Sequence, residues 1–146
     1  MSLLSALSVS ASGLTAQRTR AELLVENLAN AETTRTPEGG PYKRKDAIFS
    51  SAAQGSPFSA EFQREMGSYS NGVEVSDIYT DQREPDKRFL PGHPDADASG
   101  YVAFPRINPA EDMVDLMGAS RNYQANVSAM SAIKDMIQRS LDLLRS

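Results

Sequence analysis

Apolar and polar positions divide this chain into three stretches with different periods. From residue 3 to 31 the apolar positions run Leu3, Leu7, Leu14, Ala21, Leu24, Leu28 and Ala31, in steps of three, four or seven. Ser10 and Gln17 fill the skipped places of this heptad, and the pattern predicts one long helix with a narrow apolar seam. Gly13 weakens an isolated helix by about 1 kcal/mol. With Ala6, Ala11 and Ala16 nearby, it leaves room for a neighbouring backbone to approach.

The C-terminal stretch opens on a helix start. In "INPAEDM", Asn108 is the N-cap, Pro109 the first helical residue, and Glu111 the third residue past the cap. Met113, Leu116, Ser120, Tyr123, Val127, Met130, Lys134, Ile137, Leu141 and Leu144 then step by three and four to the end, a seam broken only by Ser120 and Lys134. Glu111, Asp112 and Asp115 crowd the positive end of the helix dipole, which accounts for them without any chemistry.

The middle, residues 32–107, holds every proline but Pro109. Residues 42–49, 73–79 and 101–104 read as strands, "PEGGP" and "PGHP" as turns, and 50–71 as a mobile loop. The fold class expected is mainly α with a small β insert. Its division is an N-terminal helix (1–34), a central β-rich module (35–108) and a C-terminal helix (109–146), the two helices forming a coiled-coil-like pair. Seams this narrow bury little by themselves, so free chains are expected to be partly ordered and to complete folding on assembly.

Composition then removes whole classes of function. The net charge of −4 argues against nucleic acid as a partner, and the basic run Lys43, Arg44 and Lys45 reads as a solvated turn or strand edge because Asp46 follows it. The absence of cysteine excludes thiolate metal sites and thiol nucleophiles. No window spans a membrane. The serine-interrupted N-terminus has no basic residue before its apolar part, so no cleaved signal peptide is expected.

Candidate chemistry is thin. "DADASG" at 95–100 opens like a calcium loop, but its twelfth position is Arg106 and prolines forbid the incoming helix, so it reads as a surface turn. His93 is the only histidine and stands beside Asp95 and Asp97 without a nucleophile elbow or a phosphate loop. No catalytic residue, metal or cofactor is expected. Met113, Met117, Met130 and Met136 are adaptable packing on a helix. The residues alone support a helical assembly subunit, and leave open a secreted coiled-coil adaptor or effector and, more remotely, a small hydrolase around His93.

The stretch "SASGLTAQRTRAELLVENLANAETT" resembles the N-terminal signature of bacterial flagellar basal-body rod and hook proteins, S-G-L-x-A-Q followed by N-L-A-N-x-x-T. The matching positions are Ser12, Gly13, Leu14, Ala16, Gln17, Asn27, Leu28, Ala29, Asn30 and Thr33. The runs "PGHP", "GYV" and "RNYQAN" are similar to those of the short proximal-rod members, apart from Arg106 where those members commonly carry Asn. The resemblance implies a non-enzymatic subunit of a helical tube, exported through the flagellar type III apparatus and assembled in the periplasm. Its implied partners are further copies of itself, other proximal and distal rod proteins and the rod–MS-ring junction protein. The expected assembly interface comprises Leu7, Leu14, Asn27, Leu28, Asn30, Met113, Leu116, Tyr123, Asn126, Val127, Met130, Ile137, Leu141 and Leu144. Asn27, a poor helix former on the flank of the seam, is expected to hydrogen-bond an adjacent helix and set its register.

Overall fold

The structure, a computed structural model, describes residues 3–52 and 72–145, with the side chains of Ala52, Leu144 and Arg145 outside the description. A 27-residue helix α1 (Leu3–Ala29) leads into a first antiparallel hairpin of β1 (Lys45–Ala52) and β2 (Gly72–Thr80). A second hairpin, β3 (Asp86–Phe89) with β4 (Tyr101–Phe104), precedes the 37-residue helix α2 (Pro109–Arg145). At 1.5 Å per residue the helices are about 40 and 55 Å long.

The helices pack antiparallel. Arg20 reaches Asp115 at 3.6 Å, a Cβ added to Gly13 would lie 3.0 Å from Asn126 Nδ2, and Leu7 shares a shallow hollow with Met130 and Ile137. Gly13 therefore provides the close approach expected of it, here toward the amide of Asn126. The buried apolar side chains are few: Ala16, Leu23 and Leu24 on α1, Ala119 and Ile133 on α2, and Tyr42, Val102 and Phe104 between them. Fully burying a Leu or Val contributes only about 1.5–3 kcal/mol each, so this core is small for its length of chain.

Several local readings shift. α1 ends at Ala29, two residues short of the seam's last position: Glu26 O accepts both the main-chain and the side-chain amide of Asn30, and Ala31 N–H bonds three residues back, to Leu28 O. β1 starts at Lys45 because Tyr42 N–H already pairs with Thr33 O, and it runs on to Ala52, so residues 50–52 are strand instead of loop. The rest of the expected loop, 53–71, lies outside the described residues. Strand β3, "DKRF", has no period-two signal because all four of its side chains are exposed. It exists because β4, whose Val102 is fully buried, offers it a ladder. Between Ile48 and Phe49 the register slips by one residue, leaving Ser76 as a bulge whose hydroxyl donates to Ile48 O.

"DADASG" is the turn of the second hairpin. Asp97 Oδ1 accepts from the N–H groups of Ser99 and Tyr101, and those bonds hold its carboxyl below the usual carboxylate range. Asp95 accepts from Thr34 Oγ1 at 2.8 Å, tying the turn to the segment after α1. Gly100 closes the turn at φ +81°, and a Cβ there would stand 2.9 Å from the Phe89 ring. Gly100→Ala should therefore destabilise the purified chain by about 1–3 kcal/mol, through the left-handed backbone and the clash together. The midpoint of urea unfolding measures it.

Candidate assembly surface and the helix–module junction

The two asparagines at the end of α1 are poor helix formers with different tasks. Asn27 is completely buried. Its Nδ2 donates to Lys45 O at 2.9 Å, and its Oδ1 accepts from Lys45 N–H and from the Tyr42 hydroxyl, both at 3.0 Å. One amide thus satisfies both main-chain groups of the first residue of β1, as a neighbouring strand would. Burial, reinforced by the Glu26 carboxylate, pushes the Tyr42 phenol up, so it stays a neutral donor at any physiological pH. Lys45 Nζ closes the arrangement on Glu26 at 2.6 Å, over the Tyr42 ring.

Asn30 caps the helix instead. Its Nδ2 donates to Glu26 O at 2.9 Å, its Oδ1 accepts from Thr33 Oγ1, and its carbonyl accepts from Thr33 N–H. Thr33 O then takes Tyr42 N–H, which returns the chain to the helix it has just left. The N-L-A-N-x-x-T stretch is thus a self-contained joint. The expectation that Asn27 bonds an adjacent helix is corrected: its amide is spent within the chain on Lys45 and Tyr42, and its side chain is closed to a neighbour.

The seam of α2 is also rotated from the expected one. Leu116, Met130 and Ile137 are half-buried, as their place in the heptad requires. The companion row turned inward is Asp112, Ala119, Asn126 and Ile133, spaced by sevens, in place of Met113, Ser120, Val127, Lys134 and Leu141. Small and polar residues, Asp112, Ala119 and Asn126, occupy the part of that row where α1 comes close, at Gly13 and Arg20, and Ile133 follows further on. The larger side chains are displaced outward: Met113 is 57% exposed, and Met117, Tyr123, Val127, Met136 and Leu141 are exposed as well. Leu7, Leu14 and Leu28 on α1 are half-buried, while the Leu144 side chain lies outside the described residues.

Two further residues escaped the sequence reading. Arg44, taken with its neighbours as a solvated edge, is mostly buried: its Nε donates to Asp46 and its Nη2 stands 3.0 Å from Asp112. Asp112, ascribed to the helix dipole alone, has a completely buried side chain. The signal available was the heptad spacing of Asp112 with Ala119, Asn126 and Ile133. The signature's Ser12 is also engaged inside the chain, its Oγ accepting from Val73 N–H at 3.0 Å. Among the described residues, no group of three or more His, Asp or Glu side chains stands close enough to hold a metal.

A family profile described as the flagellar basal body rod FlgEFG protein C-terminal region matches residues 98–143. The flagellar basal-body rod protein FlgC of Bacillus subtilis is 42% identical over 94% of this chain and 95% of its own length. FlgC of Escherichia coli O157:H7 is 39% identical over 98% of each chain, and that of Borreliella burgdorferi 36% identical over 99% of each.

If the joint holds the fold together, its loss should be visible in the isolated chain. Asn27→Leu should destabilise it by about 2–4 kcal/mol, since both Lys45 main-chain groups lose their partner. Tyr42→Phe should cost about 1 kcal/mol, and the double variant less than the sum of the two. Chemical unfolding of the three variants measures this.

Proposed function

This chain belongs to the FlgC family of flagellar basal-body rod proteins, and from that premise we propose how it builds the rod. It is a structural subunit of the basal-body rod. In our reading it acts in the proximal rod without enzymatic activity, transmitting torque between motor and hook. The helices of 1–34 and 109–146 form the inner wall and the module of 35–108 lies outside them.

The observation that carries this reading is the outward stripe of α2. Met113, Met117, Val127 and Leu141, with Tyr123 beside them, leave apolar side chains exposed on one side of a helix about 55 Å long, while the exposed Met136 stands on the other flank of the inner row. Exposed apolar side chains aligned along one row, interrupted by Ser120 and Lys134, point to a protein–protein contact. Met side chains let one surface meet non-identical neighbours, which suits a subunit touching both copies of itself and other rod proteins. Coiled-coil packing between subunits then uses the outer row, Met113, Val127 and Leu141, alongside the inner row that α1 occupies. Leu7, Leu14, Leu28, Leu116, Asn126, Met130, Ile137 and Leu144 complete the proposed interface from its flanks. Asn27 and Asn30 support it indirectly by holding the joint.

The partners proposed with this role are those the family implies: further copies, other proximal and distal rod proteins, the rod–MS-ring junction protein and the flagellar type III export apparatus. The subunit works in the periplasmic part of the basal body. No helix among the described residues is long and apolar enough to cross a membrane. The thin core between the helices supports completion of folding on assembly. Circular dichroism of the free chain should then report less helix than α1 and α2 together require, and a fully helical, sharply melting monomer would overturn that part.

Val127→Glu and Leu141→Glu place charges on the outer row, where neither residue is buried within the chain. Both variants should keep the circular dichroism spectrum of the parent yet abolish swimming in cells that depend on them. Normal motility with intact rods would overturn the assembly role of this face. His93→Ala, whose ring sits edge-on to Phe104 and whose Nδ1 accepts from Asp95 N–H, should leave motility largely intact.

A further inference from the structure

The place where α1, the start of β1 and the first turns of α2 meet contains a charge that the fold does not satisfy. The Asp112 side chain is completely buried, and neither of its oxygens has a hydrogen-bond partner among the described residues. Arg44 Nη2 lies 3.0 Å from Oδ1 but off the direction of a hydrogen bond, and the same guanidinium donates through Nε to Asp46. A buried carboxylate normally accepts several hydrogen bonds, and one held only by a shared cation is poorly compensated.

The groups facing it pull in opposite directions. From the β1 side come Arg44 and Asp46, from α2 itself Glu111 and Asp115, and α1 contributes Arg20, which is engaged with Asp115 at 3.6 Å. Three carboxylates therefore surround the fourth, with Arg44 and the positive end of the helix as counterweight. Burial is the largest influence and, with Asp46, Asp115 and Glu111, it pushes the Asp112 carboxyl above its ordinary range against the opposing effect of Arg44.

We propose that this junction is a pH-responsive latch, docked more firmly when Asp112 is protonated than when it is ionised. A protonated Asp112 relieves the uncompensated charge and frees Arg44 to serve Asp46 alone. The sign follows from linkage. A carboxyl whose folded value lies above its unfolded one contributes stability that is complete at low pH and is lost as pH rises through the folded value. Asp81 works in the opposite sense and in a different window, because Arg83 holds its carboxyl at about 2, so its stabilisation is lost only in stronger acid. The latch joins the helix pair to the β hairpins, so a change in its docking alters how rigidly the two parts are held.

The test is thermal unfolding of the full chain as pH rises from the ordinary carboxylate range to the mildly alkaline, for the parent, Asp112→Asn and Arg44→Gln. The parent should lose stability as pH rises across part of this range. Asp112→Asn, which keeps the shape and donates and accepts without charge, should flatten that slope and raise Tm at the alkaline end by a few degrees. Arg44→Gln removes the counterweight, so the fall should steepen and shift to higher pH. A parent profile that Asp112→Asn leaves unchanged, or an Asn variant less stable than the parent at the alkaline end, overturns the proposal. Should Asp112→Asn fail to fold, an Arg44→Gln profile superimposable on that of the parent overturns it equally.

Discussion

Both main-chain groups of Lys45 end on the side chain of Asn27, and most of the architecture depends on that pairing. β2 lies on one side of β1, but the edge turned toward α1 has no strand to satisfy the Lys45 main-chain groups, and leaving them buried and unpaired costs about 1–3 kcal/mol each. An asparagine amide presents a donor and an acceptor side by side, the same pair a peptide group presents. With the Tyr42 hydroxyl bound to the same Oδ1 and Asn30 capping the helix, α1 ends, turns and delivers β1 back onto its own last turns. The hairpin β1–β2 then lies along α1, where Ser12 takes up Val73 N–H, and β2 delivers Asp81 N–H to Arg44 O.

This joint explains how a chain with so small a core holds a defined shape. Few apolar side chains are fully covered, and the row by which α2 faces α1 includes the small and polar Asp112, Ala119 and Asn126 beside Ile133. Hydrogen bonds at the ends of elements, and not bulk burial, orient the parts. The apolar area that would make α2 self-sufficient is turned outward, onto the face proposed above for contact with another subunit. The subunit is thereby specified as a component: rigid where its own elements meet, unfinished where neighbours are needed.

Much of the fold was legible before any coordinate. The 3.6-residue period of both terminal stretches, the cap at Asn108 and the strand at Tyr101–Phe104 follow from local rules that need no tertiary context, and Asn108 Oδ1 does accept from Ala110 N–H. β3 was not legible, since a strand exposed on every side chain carries no alternation to read. The rotation of the α2 seam was hidden for a related reason. Hydrophobicity ranks Met113 and Val127 above Asp112 and Asn126 for burial, but the close approach at Gly13 admits only what fits.

The amino-acid order by itself determined the two terminal helices, the cap at Asn108, the strands other than β3 and the family signature, because period, propensity and capping act over a few residues. It also marked Asn27 as anomalous, since an amide in that helical position is locally unfavourable. What the amide is for was decided only in three dimensions, by Lys45 eighteen residues away and Tyr42 fifteen residues away. The same holds for Arg44, whose neighbours in sequence suggest a solvated edge and whose neighbour in space is the buried Asp112. A hydrogen bond or an ion pair depends on distance and direction between groups far apart in the chain, and only the folded backbone sets those.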